Sequence, residues 1–305
     1  MGRRKETVFA LLPLERVPTL TKNSCTGVSA QMKKGIRYAL ILTLLLAIVA
    51  AVAYAIFIAR YGPDEEVVYR TVDDTELTLQ IFSPELENIT GRPAILFFFG
   101  GAWTSGTPAQ FYPWASHFAS QGWMGFTADY RVFSRNGTNA FTALDDARAA
   151  YQYLIDHAQE LGIDPNKIVM GGGSAGGHLA AAVMMVPWED QGDAPDPAGL
   201  VLLNAAINTA YEGSSPVVDL FEGRGKDISP FHHIRADLPP TYMAHGTQDA
   251  LVPFEQVQAF CEEMTRSGNH CELDIYQGAG HGFFNWGSAN SGEVLTNMQR
   301  FVEGL

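Results

Sequence analysis

The run Lys167-Ile168-Val169-Met170-Gly171-Gly172-Gly173-Ser174-Ala175-Gly176-Gly177-His178-Leu179-Ala180-Ala181-Ala182-Val183 decides the fold. Lys167–Met170 reads as a short buried strand, and Ser174–Val186 reads as a helix rich in Ala, Leu and Met. Strand must therefore become helix across Gly172-x-Ser174-x-Gly176. That spacing has a steric reason: the serine occupies a sharp strained turn, and side chains two positions to either side would meet the crossing backbone. A chain with 14 Ser and 30 Gly holds this spacing by chance only about 0.14 times. The strand before it and the helix after it make the match specific.

The same alternation continues outward. Upstream, Glu66–Val72 and Glu76–Phe82 alternate like a hairpin around Asp73-Asp74-Thr75. Ala94–Phe99 is a continuous apolar run, as expected of a strand buried on both faces. A helix is expected over Ala109–Gln121, a strand over Met124–Ala128, and a long helix over Ala143–Leu161 ending at the turn Asp164-Pro165-Asn166. Downstream, strands are expected at Leu200–Leu203, Thr241–Ala244 and Cys271–Tyr276, with helices at Phe254–Ser267 and Gly292–Val302. Strands alternating with helices imply an α/β fold, a mostly parallel central sheet covered by helices on both faces.

In such sheets the site lies beyond the carboxyl ends of the strands. A serine nucleophile needs a base, and the base needs an orienting acid. Asp249 follows its strand in His245-Gly246-Thr247-Gln248-Asp249, and His281 follows the last strand in Gly278-Ala279-Gly280-His281-Gly282-Phe283. These make Ser174, Asp249 and His281 the catalytic candidates. The other seven histidines read as surface or packing residues. Phe99-Gly100-Gly101-Ala102-Trp103 ends the first buried strand in small residues that let backbone N–H groups approach a ligand. Gly100, Gly101, Ala102 and, at the helix start, Ala175 are the candidate oxyanion donors. Trp103 and Phe283 are expected as the walls of an acyl pocket.

Seven segments together resemble the bacterial carboxylesterase/acetylesterase group of α/β hydrolases, close to the hormone-sensitive-lipase and feruloyl/acetylxylan esterase-like families. They are Phe99–Trp103, Asp129-Tyr130-Arg131, Gly172–His178, Ser229-Pro230, Leu238–Thr241, His245–Asp249 and Gly278–Phe283. The resemblance implies an α/β-hydrolase fold and hydrolysis of carboxylic esters, acetylated or feruloylated carbohydrate among them; little apolar wall is expected around the site, which favours short acyl groups and tolerates bulky alcohols. It implies no cofactor. These families usually begin the oxyanion motif with His, which supports the loop from beneath without reacting; Phe99 stands there here, a departure that bears on loop rigidity and acyl preference. The segment between Leu203 and Leu238, carrying Tyr211, Phe221 and Phe231, is too short for a full cap. Two other readings share the residues: an amidase or peptidase of the aryl formamidase kind, and a catalytically silent, membrane-tethered binding protein. The intact Ser, Asp and His speak against the second.

Tyr38–Ala59 is 22 residues without a charge. As a helix it spans about 33 Å, enough to cross a hydrocarbon core of ~30 Å. Lys33, Lys34 and Arg37 precede it and Asp64, Glu65 and Glu66 follow, so the positive-inside rule places the body outside the cytoplasm. Three parts follow: residues 1–37 as a cytoplasmic arm or a mis-assigned start, residues 38–59 as an anchor or signal-peptide core, and residues 60–305 as the catalytic domain. The signal reading rests on Met32-Lys33-Lys34 and Ala53-Tyr54-Ala55. In both, the body is exported. Residues 1–60 carry a net +7 and the rest a net −20, which argues against nucleic acid and polyanionic substrates. Cys261 and Cys271 are expected to form a disulfide in an oxidising setting. The acids of Trp188–Pro197 lack calcium-ligand spacing, and no Cys/His metal cluster or phosphate-binding Gly loop is present.

Overall fold

The apolar runs become neighbours in one sheet. The computed structural model describes residues 22–85, 89–188, 194–210 and 218–305. The chain divides into two units, Met1–Phe57 and Ile58–Leu305. Helix α1 (Lys22–Tyr61) contains the apolar span Lys34–Tyr61, long and apolar enough to cross a membrane and unburied in its most apolar stretch.

In the larger unit, β1 (Glu65–Val72) and β2 (Thr75–Phe82) form an antiparallel hairpin. Then come β3 (Arg92–Phe98), α2 (Tyr112–Ser120), β4 (Met124–Ala128), the short α3 (Phe133–Asn136), α4 (Ala140–Asp156), β5 (Ile163–Gly173) and α5 (Ala175–Met185). β6 (Gly199–Leu203), β7 (Thr241–Gly246), α6 (Phe254–Arg266), β8 (Cys271–Tyr276) and α7 (Ser291–Glu303) complete the described strands and α-helices. Among the described residues the sheet has the order β1-β2-β4-β3-β5-β6-β7-β8, antiparallel up to the β2–β4 pair and parallel from β4 onward. β3 crosses its middle, and Ala94–Phe98 are wholly buried, which accounts for their unbroken apolar run.

Several element ends differ from expectation, each for a local reason. The helix expected over Ala109–Gln121 is a 3₁₀ turn, Pro108–Phe111, followed by α2, because Pro113 lacks the N–H needed to continue one helix through it. The α4 helix begins early, where the Asn139 side chain accepts the Thr142 N–H as an N-cap, and ends at Asp156 instead of Leu161. The turn at Asp164-Pro165-Asn166 sits inside β5 as an irregularity. Arg92 pairs with Ile163 and Ala94 with Ile168, and the looped-out stretch is closed by the Asn166 N–H donating to Asp164 Oδ1 at 3.0 Å.

The Asp129-Tyr130-Arg131 segment ties the sheet together. Asp146 on α4 is fully buried, and Arg131 grips both of its oxygens at 2.8 and 2.7 Å while Arg70 of β1 donates at 3.0 Å. A buried carboxylate paired on every side is stable, whereas removing one partner leaves an uncompensated charge. Asp129 pairs with Arg135 at 2.6 Å.

Cys261 of α6 and Cys271 of β8 are joined as a disulfide, their Cα atoms 5.6 Å apart. Closing so short a loop is worth roughly 3 kcal/mol. Cys271→Ser should therefore lower Tm by about 5–10 °C, and peptide mapping of protein produced in an oxidising compartment should find both sulfurs blocked until reduction. Two freely alkylatable thiols would show that the bond does not form in the native chain.

Candidate active site

The loops after β3, β5, β7 and β8 converge at the carboxyl end of the sheet, and the tightest of them carries Ser174. Its φ of +53° is left-handed, a costly conformation for a residue with a side chain. The Ser174 N–H donates to Leu203 O at 2.9 Å, and its carbonyl accepts from His178 at 3.0 Å and Ala206 at 3.2 Å. A Cβ at Gly176 would overlap the Phe98 carbonyl, so α5 can reach β3 only with glycine there.

The structure brings the three catalytic candidates together. Ser174 Oγ lies 3.0 Å from His281 Nε2, and His281 Nδ1 lies 2.8 Å from Asp249 Oδ2. With the Nδ1–H donating to the carboxylate, Nε2 is left bare to accept the serine proton. Asp249 is buried, and its Oδ1 accepts from the amides of Leu251 and Val252, both at 2.9 Å. Burial pushes the Asp249 carboxyl up, but the hydrogen bonds from His281, Val252 and Leu251 outweigh it and hold the pKa below the usual carboxylate value. The acid is thus ionised where the histidine needs an anionic partner.

Four backbone N–H groups were expected as oxyanion donors, and the structure removes one. Gly100 N–H donates to Gln110 Oε1 at 2.7 Å and is therefore occupied. The N–H groups of Gly101, Ala102 and Ala175 have no acceptor among the described residues. The first two lie on a loop held in a left-handed turn, with Ala102 at φ +53° and the Thr104 and Ser105 amides donating to Gly101 O. Ala175 opens α5, where free N–H groups and the helix dipole favour negative charge. Gly101, Ala102 and Ser174 line a cavity of about 410 Å³, and Ala175 follows Ser174 directly.

Trp103 and Phe283, expected as its walls, do not line it. Trp103 is buried edge-on between His178 and Phe221, both 5.0 Å away centre to centre. Phe283 packs on Tyr276 at 4.7 Å. Phe284 and Leu251 take those places. Phe221 is accordingly part of the packing beneath the loop and not a lid. Tyr211, Glu189, Asp190 and Asp193 lie outside the described residues, as does the arm before Lys22. Among the described residues no cluster of His, Cys, Asp or Glu is arranged to hold a metal.

Three further polar residues surround the site: two histidines that read in the sequence as surface or packing residues, and an asparagine that gave no sequence signal. Fully buried His245 hydrogen-bonds Val252 O at 2.9 Å and stands 3.4 Å from Asp249, steadying the turn that feeds the acid; burial pushes its pKa down. Asn204 is fully buried at φ +38° with its amide 2.7 Å from His281 Nδ1. His178 is also wholly buried, which drives its pKa down to about 4 despite its bond to Ile228 O, so it stays neutral.

Comparison with known proteins agrees with this fold. A family model for the alpha/beta hydrolase fold matches residues 95–285. The chain belongs to that family. A probable carboxylic ester hydrolase of Mycobacterium tuberculosis, LipM, is 29% identical over 252 residues, 72% of this chain and 56% of the relative, so the chain spans little more than half of that protein. Esterase 2 of Thermogutta terrifontis, in its apo form, is 41% identical with a TM-score of 0.76 over 80% of this chain and 95% of that one. Its propionate-bound form is 40% identical, with a TM-score of 0.74, covering 80% and 96%.

The elbow generates a direct test. Gly176→Ala must push α5 away from Phe98 and Phe99, whose carbonyls a methyl would meet. Overpacking of this kind costs about 1–3 kcal/mol or more, so Tm should fall by about 5 °C or more, with at least a tenfold loss of activity. An unchanged Tm and rate would mean the elbow is looser than drawn.

Proposed function

We propose that the chain is a serine hydrolase that cleaves short-chain carboxylic esters through an acyl-enzyme on Ser174. The observation that carries this is the chain of hydrogen bonds from Ser174 through His281 to Asp249 beside three unengaged amides. In the proposed reaction Ser174 Oγ attacks the ester carbonyl as its proton passes to His281 Nε2. The oxygen, now negative, is held by the N–H groups of Gly101, Ala102 and Ala175. The imidazolium, stabilised by ionised Asp249, returns its proton to the leaving alcohol. Water then enters by the same route and frees the carboxylic acid.

The names of the relatives support ester chemistry, and the propionate held by the Thermogutta esterase supports a small acyl group. Phe284, buried beside Gly173 and Ser174, limits the depth available to an acyl chain. Leu251, 57% exposed at the rim, offers apolar contact to a bulkier alcohol, including one carried on a carbohydrate.

Ser174→Ala should abolish turnover of p-nitrophenyl acetate and labelling by a fluorophosphonate, with Tm unchanged. Residual turnover within tenfold of the native chain would refute the assignment. Asp249→Asn should lower kcat by about 10⁴ through loss of the correct imidazole tautomer. Each buried methylene is worth about 0.8 kcal/mol, so a deep tunnel would raise kcat/KM steeply from C2 to C8 esters. The expected profile is the opposite, highest at acetyl to butyryl and lower by C8; a C8 optimum would place the acyl group elsewhere.

The apolar span of α1 supports attachment of the body at the outer face of a membrane, or export by a signal that is then cleaved. Alkaline carbonate extraction of the expressed chain distinguishes the two: an anchored chain stays in the pellet, and a cleaved one leaves it with a new N-terminus.

A further inference from the structure

Phe99 opens the oxyanion loop, and its surroundings show how the loop is held. The Phe99 ring stacks on Tyr130 at 4.0 Å, and the Tyr130 hydroxyl donates to Phe99 O at 2.7 Å. That fixes the end of β3 but supplies no polar anchor to the next residues. The anchor comes from Gln110, in the 3₁₀ turn before α2. Its Oε1 accepts the Gly100 N–H at 2.7 Å, and its Nε2 donates to Asn285 Oδ1 at 3.0 Å. The orientation of the carboxamide is not arbitrary, because a backbone N–H can only donate and so selects the oxygen end.

Asn285 belongs to the loop of the base. Its N–H donates to Gly282 O at 2.9 Å, one residue from His281. A single side chain therefore connects the loop bearing Gly101 and Ala102 to the loop bearing His281. Among the described residues no other hydrogen bond joins these two loops directly. Gln110 and Asn285 both line the cavity, beside Ser174.

We infer that Gln110 is a positioning residue: its carboxamide latches the oxyanion loop to the histidine loop and so keeps the anion donors and the base in register with each other. The inference rests on the ester-hydrolase reading above. Gln110 contacts no reacting atom. Its effect is on geometry that matters chiefly when negative charge develops on the carbonyl oxygen, since a donor that is well placed for the transition state is not needed to bind the ester.

The test uses the full chain and the variants Gln110→Met, Asn285→Ala and their combination, assayed with p-nitrophenyl acetate and with an alkyl trifluoromethyl ketone as transition-state analogue. Methionine keeps the length and loses both hydrogen bonds. Misplaced catalytic groups cost about 10²-fold for a shift near 1 Å, so kcat of Gln110→Met should fall about 10- to 100-fold with KM changed less than threefold. Affinity for the ketone should fall by a similar factor. Asn285→Ala should lose about threefold or more, and the double variant should be no slower than Gln110→Met, because both changes break one connection. A kcat for Gln110→Met within twofold of native, a loss that falls on KM alone, or fully additive losses would overturn the latch. If Gln110→Met does not fold, Asn285→Ala on its exposed loop decides alone, and native kcat there overturns it. A native chain that neither turns over ester nor takes up fluorophosphonate at Ser174 would overturn the underlying reading instead.

Discussion

Everything at the carboxyl end of the sheet depends on how closely the start of α5 approaches the end of β3. The Phe98 carbonyl leaves no space for a side chain on Gly176, so helix and strand can meet only through bare backbone. That contact fixes three things at once. It forces Ser174 into a left-handed conformation, starts the helix directly after the serine, and sets that start against the loop that leaves β3. The strain at Ser174 is held by backbone hydrogen bonds to Leu203, Ala206 and His178, none of which needs a particular side chain. The place of the proposed nucleophile is thus a property of the fold's crossing point, and the remaining residues are fitted around it.

The acid and the base show a second economy. Asp249 is buried where an isolated carboxylate would take up a proton, yet two amides of the following turn and the His281 ring keep it charged. The turn is itself secured by His245, held neutral by burial and bonded to Val252 O. The Ser174–His281–Asp249 line therefore ends in the interior, insulated from solvent, while its reactive end opens on the cavity.

The parts of this arrangement that were legible in the sequence are those that fixed backbone geometry demands. The Gly-x-Ser-x-Gly turn, the apolar strands and the loop positions of Asp249 and His281 all follow from periodicity and from steric need. Element ends were less legible, because a single Pro113 or the cap at Asn139 shifts them locally. The cavity walls were misread for a related reason. Trp103 and Phe283 neighbour catalytic loops in sequence, but large apolar rings next to a turn satisfy burial by packing inward, and it is Phe284, one residue on, that faces the site. Gly100 was misassigned because its small size advertised a free amide, whereas occupation of that amide depends on Gln110, ten residues away and unmarked by any pattern. Polar residues such as Asn204 and Gln110 act through tertiary contacts, which have no period to detect.

The turn at Leu251 has a consequence for how such an enzyme can diverge. Its backbone amide serves the buried acid, while its side chain stands in solvent at the rim of the cavity. In the proposed reading, electrostatics and contact with the alcohol are carried by different atoms of one residue, so nearly any amino acid except proline at this position leaves the charge of Asp249 intact. New alcohol groups can be accommodated by exchanging that one side chain, without retuning the proton transfer behind it. Drift at the rim is thereby uncoupled from the chemistry, and a lineage can explore substrates at little risk to its catalytic engine.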